Sequence, residues 1–196
     1  MLHGRAFLFL GLQNSPKESF GQIKPVMGTQ HSKIMIQGDI PSGKGLKIGI
    51  VVSEWNSGIT GNLLDGCQAT LIKHEVEAND IVVEKVPGAY ELPMGARLLS
   101  TGKKFDAIIC LGCVIKGETK HDEYISNAVS NGLMQLSLMT NIPVIFGVLT
   151  PNTQAQAKAR AGGTLGNKGD ESAVTAIKMA TLKKELGKSP HKIGFS

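Results

Sequence analysis

No stretch of this sequence is apolar for the roughly 20 residues that a membrane-spanning helix requires. The nearest candidate runs from Ala6 to Leu12 behind Arg5 and is about half a span long. No small-residue cleavage pattern follows it, so it reads as a non-native or poorly ordered leader rather than a signal peptide. No membrane partner is expected. Cysteine is scarce and odd in number: Cys67, Cys110 and Cys113. The last two form a C-x-x-C, but no second C-x-x-C or H-x-x-x-H completes a tetrahedral metal set. They also lie within or at the end of the apolar run 107–111, not at a helix start, where a thiolate is stabilised. They read as small buried hydrophobes in a reducing, cytoplasmic setting, and neither a metal nor a cofactor is called for. Aromatics make up 5% of the chain, and no basic run alternates with them as a single-strand reader would need. Nucleic acid is therefore not an expected partner. The formal charge of +5 fits instead a field that attracts anionic small molecules, phosphates included.

Residues 1–45 hold no sustained period of two or of 3.6, and carry Pro16, Pro25 and Pro41. They read as an arm, poorly ordered or packed on a neighbour. From residue 46 apolar runs alternate with amphipathic stretches, the pattern of a parallel sheet with crossover helices. Strands are expected at 46–52, 81–86, 107–114 and 144–149. Helices are expected at about 60–74, through 92–99, at about 122–139, at 154–160 and at 171–186. Pro93 is tolerable in a first turn. The glycines at 162, 163, 166 and 169 mark a link. The expected fold is an α/β class, doubly wound α/β/α sandwich on a four-stranded parallel sheet. It occupies 46–186, with an N-terminal arm before it and a tail at 187–196.

Such sheets bind ligands beyond the carboxyl ends of their strands, and the chemically useful residues follow each predicted strand. Trp55, the only tryptophan, stands in a loop with Asn56; a planar ligand stacks on an indole, though an aromatic core cap is as good a reading. After the second strand, Pro87 and Gly88 fix a turn ahead of Ala89, Tyr90 and Glu91. Glu91 either binds a polar substrate or is a first-turn carboxylate favoured by the helix dipole. After the third come Cys113, Val114 and Ile115, then Gly117, Glu118 and Thr119, whose backbone N–H groups near a helix start suit a phosphate. His121 follows, a proton carrier near neutral pH or an ordinary helix-end histidine. Asp122 and Glu123 either fix its tautomer or favour the helix start. Phe146 by itself reads as core. Arg160 is either a phosphate clamp, with Lys168 near it, or a solvated helix-end residue.

Five of these blocks, in this order, resemble the lumazine synthase family. They are Trp55-Asn56, Val86 to Glu91, Gly117 to His121, Val144 to Gly147, and Arg160 through Gly169. The resemblance spans 46–186. It implies a flavodoxin-like fold and the condensation of 5-amino-6-(D-ribitylamino)uracil with 3,4-dihydroxy-2-butanone 4-phosphate to 6,7-dimethyl-8-ribityllumazine. Phosphate and water are released in this penultimate step of riboflavin biosynthesis, and no cofactor is used. Position by position it implies that Trp55 stacks on the pyrimidine beside Asn56. Ala89, Tyr90 and Glu91 bind the ribityl chain and its neighbours. Cys113, Val114 and Ile115 line the pyrimidine pocket by their backbone. Glu118, Thr119 and Arg160 hold the phosphate with Lys168 in support. Phe146 comes from the same wall or a neighbouring subunit, and His121 transfers the proton. The chain departs from the family after His121, where Asp122-Glu123 replace an aromatic or variable residue, leaving the group that orients the histidine open.

The resemblance also implies a homopentamer with sites between subunits, in some members built up into icosahedral shells, and riboflavin synthase as a partner. The rivals are an FMN-binding module of the same sheet class, a carrier that has lost activity, and an archaeal-type riboflavin synthase acting on two lumazines.

Overall fold

The computed structural model describes residues 39–188. The segment from Ala6 to Leu12, the rest of the arm before residue 39 and the tail after residue 188 lie outside the described residues. Four parallel strands form the main sheet: β1 (Ile48–Ser53), β2 (Ile81–Val86), β3 (Ala107–Cys113) and β4 (Val144–Leu149), in the order β2-β1-β3-β4. The central pair, β1 and β3, is buried along its whole length. Strands covered on both faces carry unbroken apolar runs rather than alternation, which is why IGIVV and AIICL read so clearly. The edge strands β2 and β4 are only partly covered.

Five helices cover the two faces: α1 (Ser57–Lys73), α2 (Leu92–Gly102), α3 (His121–Thr140), α4 (Gln154–Ala159) and α5 (Lys168–Lys188). One core lies under α1 and α5, built from Ile48, Ile50, Leu63, Leu71, Ile109 and Ile177 among others. The second lies under α2 and α3, around Val51, Leu92, Ile108, Val129 and Leu133. The expected doubly wound sandwich is what the chain forms.

Differences from the expected elements are local and have reasons. Helix α1 starts at Ser57 rather than residue 60, because the Asn56 carbonyl accepts the N–H of Ile59 at 2.7 Å and of Thr60 at 3.0 Å. Ser57 and Gly58 have poor helix propensity and hid that first turn. The glycine link is not open chain. It folds as a tight antiparallel ribbon, β5 (Ala161–Gly163) with β6 (Gly166–Asn167), its reversal using Gly162 and Gly166 at φ +94° and +82°, where a side chain is disfavoured. Helix α5 then starts at Lys168 rather than residue 171. Its Gly169 backs directly onto the Leu63 carbonyl of α1, leaving no room for a Cβ. Ahead of the first strand, residues 39–45 lie against the end of α1: Gly43 N–H donates to the His74 carbonyl at 2.7 Å, and Ile40 packs on the core.

The Gly169 contact carries a stability prediction. Gly169→Ala forces α5 away from α1 and is expected to cost about 2 kcal/mol or more, in the range of overpacked sites. Urea denaturation measures it; an unchanged midpoint would mean that α5 slides without penalty.

Candidate active site

The carboxyl ends of β1, β2 and β3 meet at one end of the sheet, and hydrogen bonds stitch the loops that leave them. Glu54 N–H donates to the Val86 carbonyl at 2.8 Å and Trp55 N–H to the Pro87 carbonyl at 3.0 Å. On the other side the Asn56 side-chain Nδ2 donates to the Cys113 carbonyl at 2.9 Å. The Trp55 ring stands 73% exposed beside this junction, so the reading as a core cap is set aside. Below it, Ala89 is buried in a single 3-10 turn, Ala89–Glu91, that leads into α2, while Tyr90 is exposed. One carboxylate oxygen of Glu91 accepts from Gly88 N–H at 3.0 Å, which fixes the turn. Pro93 falls in the first turn of α2, where its missing N–H costs nothing.

Cys113 closes β3 with its side chain buried. Burial pushes its thiol up to about 11, so it is a neutral wall group at physiological pH rather than a nucleophile. Cys67 and Cys110 are likewise buried and pushed well above the usual thiol range by desolvation. Beyond Cys113 the backbone turns along β4: Val114 N–H donates to the Leu149 carbonyl at 2.8 Å, and Lys116 N–H to that of Pro151 at 3.0 Å. Glu118 and Thr119 lie exposed in the loop that follows, and His121 is the first residue of α3. The Thr119 hydroxyl lies 3.5 Å from the His121 N–H, a long contact. Among the described residues no hydrogen bond or ion pair engages the His121 imidazole, and Asp122 and Glu123 lie in the helix's first turn.

A second cluster forms where the ribbon closes. Lys168 N–H donates to the Arg160 carbonyl at 2.9 Å, so the ribbon sets these two residues side by side. Their cationic ends converge on Glu171, which is 4% exposed. Arg160 Nη2 donates to Oε2 at 3.1 Å and its Nη1 lies 2.7 Å from Oε1 in an ion pair; Lys168 Nζ donates to Oε2 at 3.1 Å. Arg160 Nη1 also donates to the Leu165 carbonyl at 2.8 Å. Burial by itself would raise the Glu171 carboxyl, but the hydrogen bond from Arg160 and the charge of Lys168 outweigh it and hold the carboxyl below its ordinary value. Two cations around one anion leave this cluster with a net positive charge.

Glu171 is the member that sequence reasoning missed. Its only signal was its place three residues after Lys168, in a helix start otherwise rich in small residues. A buried carboxylate there needs partners, and Arg160 and Lys168 are the cations within reach.

Arg160 and His121 belong to opposite faces of the sheet, whereas Trp55 and Asn56 lead into α1 on the face of Arg160. Ala157 and Ala161, which flank Arg160, belong to the core under α1 and α5. Helix α3, which begins at His121, packs into the other core. No hydrogen bond or ion pair joins the two clusters among the described residues. Phe146 is 38% exposed on the edge strand β4, and by alternation it shares the face of Val144 and Val148, which pack against the α2–α3 core. A groove of about 480 Å³ runs between α2 and α3, lined by Tyr90, Pro93, Met94, Arg97, Gly132 and Leu136 with their neighbours. It opens beside the 3-10 turn.

A family profile described as 6,7-dimethyl-8-ribityllumazine synthase matches residues 45–184. The chain belongs to that family. Among its relatives is the lumazine synthase of Parabacteroides distasonis, 52% identical over 73% of this chain and 89% of its own length. That of Bacteroides fragilis is 52% identical over 73% of this chain and the whole of its own. That of Phocaeicola vulgatus is 47% identical over 76% and 89%. The matched region is the sheet with both clusters and leaves out most of the N-terminal arm. The expected family and fold thus stand. No helix among the described residues is long and apolar enough to cross a membrane.

The buried carboxylate makes acid stability a test of the second cluster. Because the folded Glu171 carboxyl titrates below its unfolded value, its stabilisation is fully present above the unfolded pKa of about 4.3 and is lost as pH falls through the folded value. Glu171→Gln is expected to destabilise the protein by about 3 kcal/mol at neutral pH and to flatten the loss of stability on the acid side. Denaturation series carried from neutral pH down to about pH 2 measure both; a parallel pH dependence in the two proteins would show that Glu171 is not held as a paired anion.

Proposed function

We propose that the chain condenses 5-amino-6-(D-ribitylamino)uracil with 3,4-dihydroxy-2-butanone 4-phosphate in a cleft at the strand tips. The product is 6,7-dimethyl-8-ribityllumazine, with phosphate and water released. The observation that carries the reading is the joining of three strand tips at one end of the sheet, with an exposed indole above them. Trp55 stacks on the pyrimidine beside Asn56. The turn of Ala89, Tyr90 and Glu91 receives the ribityl chain, Glu91 keeping one carboxylate oxygen for hydroxyl groups while the other holds Gly88. Backbone groups of Cys113, Val114 and Ile115 read the pyrimidine edge. The loop of Glu118 and Thr119 cradles the butanone phosphate.

The chemistry asks little beyond placement. The 5-amino group attacks the ketone carbon, and water leaves to give an imine. A proton then leaves the carbon next to the imine as the phosphate departs with its bonding electrons. The enol this leaves takes a proton at its terminal carbon and becomes a ketone, and the ribityl-bearing nitrogen closes the ring on it with loss of another water. Holding amine and ketone together supplies much of the acceleration. His121, exposed at the start of α3 with its imidazole unengaged, carries the proton. Arg160 and Lys168 stabilise the departing phosphate. Glu171 takes up part of their charge and keeps both cations in place when the site is empty.

The opposite-face placement of His121 and Arg160 supports a site shared between subunits of a homopentamer. One subunit supplies Trp55, the β2 and β3 tips and His121; its neighbour supplies Phe146 from its open β4 edge, together with Arg160 and Lys168. The α2–α3 face suits such packing, since Met94, Leu98, Met134 and Leu138 stand exposed along it. The free, buried Cys67, Cys110 and Cys113 support a reducing, cytoplasmic setting for the reaction.

Lumazine formation from the two precursors is the test. Arg160→Ala is expected to raise the KM for the butanone phosphate by about 10- to 100-fold, the loss of a charge-assisted hydrogen bond, with the pyrimidine KM little changed. Equal saturation by the phosphate substrate would remove Arg160 from the site. Co-refolding His121→Ala with Arg160→Ala is expected to give more activity than either variant has alone, because some interfaces then combine intact halves. No recovery would place both residues in one subunit's site.

A further inference from the structure

We infer that Asn56 is a positioning residue. Its side chain fixes the Cys113 carbonyl and so sets the backbone of Val114 and Ile115 against the pyrimidine, an inference that rests on the proposed lumazine synthase site. Asn56 departs from the habits of its place in the fold. It is the N-cap of α1, where an asparagine side chain ordinarily accepts a backbone N–H of the first turn. Here the side chain makes no such bond; the carbonyl alone caps the helix, through Ile59 and Thr60. The backbone sits in the left-handed region at φ 59° and ψ 41°, which asparagine, aspartate and glycine tolerate best. That conformation turns the amide back across the sheet, where Nδ2 donates to the Cys113 carbonyl at 2.9 Å, 57 residues along the chain.

The acceptor is as telling as the donor. The last β1–β3 pair is Val52 with Leu111, so the Cys113 carbonyl lies beyond the end of that ladder. Strand β1 has by then turned away toward β2, with Glu54 and Trp55 N–H groups given to Val86 and Pro87. The Asn56 amide therefore stands in for the missing backbone donor and extends the β1–β3 seam by one rung. That seam is the switch point of the sheet, with the chain running outward to β2 on one side and to β4 on the other, the place where sheets of this kind bind ligands. The tie to β2 rests on backbone groups alone. The tie to β3 hangs on this one side chain.

The test uses Asn56→Gly and Asn56→Asp, both of which keep a residue at ease with the left-handed backbone. Glycine removes the donor; aspartate sets a carboxylate against the carbonyl. Trp55, the only tryptophan in the chain, reports pyrimidine binding by quenching of its emission. The probe is the 5-nitro analogue of the ribitylaminouracil, which cannot condense. Each variant is expected to unfold near the wild-type midpoint, to bind the analogue about tenfold more weakly or worse, and to bind inorganic phosphate as the wild type does. Asn56→Asp is further expected to regain affinity relative to wild type as pH falls and its carboxyl, once protonated, can donate to Cys113; a merely structural role would not produce that recovery. Undiminished analogue binding in both variants would overturn the inference, as would an equal loss of phosphate affinity. A wild-type protein that neither binds the analogue nor forms lumazine would instead bring down the reading of the site itself.

Discussion

Two adjacent parallel strands buried on both faces cannot be joined by a hairpin; the chain must cross over through a helix each time. That constraint organises this molecule. With β1 and β3 sealed between two cores, the loop that leaves every strand emerges at the same end of the sheet. The chain's polar and catalytic chemistry has nowhere else to gather. Because the connection from β1 goes to one edge and that from β3 to the other, a seam opens between their tips. Backbone hydrogen bonds fall short there, and Asn56 reaches across to Cys113.

The second organising feature is electrostatic. A carboxylate as deeply buried as Glu171 persists as an anion only with partners. Arg160 and Lys168 supply them because the β5–β6 ribbon places the two side by side. The arrangement holds two flexible cations in a fixed geometry before any substrate arrives. Preorganisation of this kind favours a phosphate leaving group, since reorienting the donors would otherwise fall within the reaction step. The same bonds tie the ribbon to the start of α5, so the proposed phosphate site and the packing of α5 on α1 at Gly169 share one structural unit.

In the proposed assembly each subunit presents two halves of a site. One offers an exposed indole and an imidazole at the tips of β1 and β3; the other offers the paired cations held by Glu171, with an open edge strand bearing Phe146. In the proposed assembly neither half does the chemistry alone, and association serves catalysis as well as stability. The exposed apolar groove between α2 and α3 is consistent with that need.

The succession of strands and helices, the sandwich they form and the family were all legible in the residues. Apolar runs of strand length, helical periodicity and Pro-Gly punctuation are local signals, and the five motif blocks stand in the sequence as written. The placement of three of them at the strand tips followed from the rule for parallel sheets, while Val144 to Gly147 lies within β4 and Arg160 through Gly169 beyond α4. What the sequence did not give were the relations between distant residues. It placed Glu171 only as the start of a helix, read the glycines only as a link, and showed no bond from Asn56 across the sheet. Burial, the ribbon's reversal and a bond spanning 57 residues depend on how separate elements come to rest against each other. Only the tertiary structure decides whether a polar group is spent on its own chain or left for a substrate.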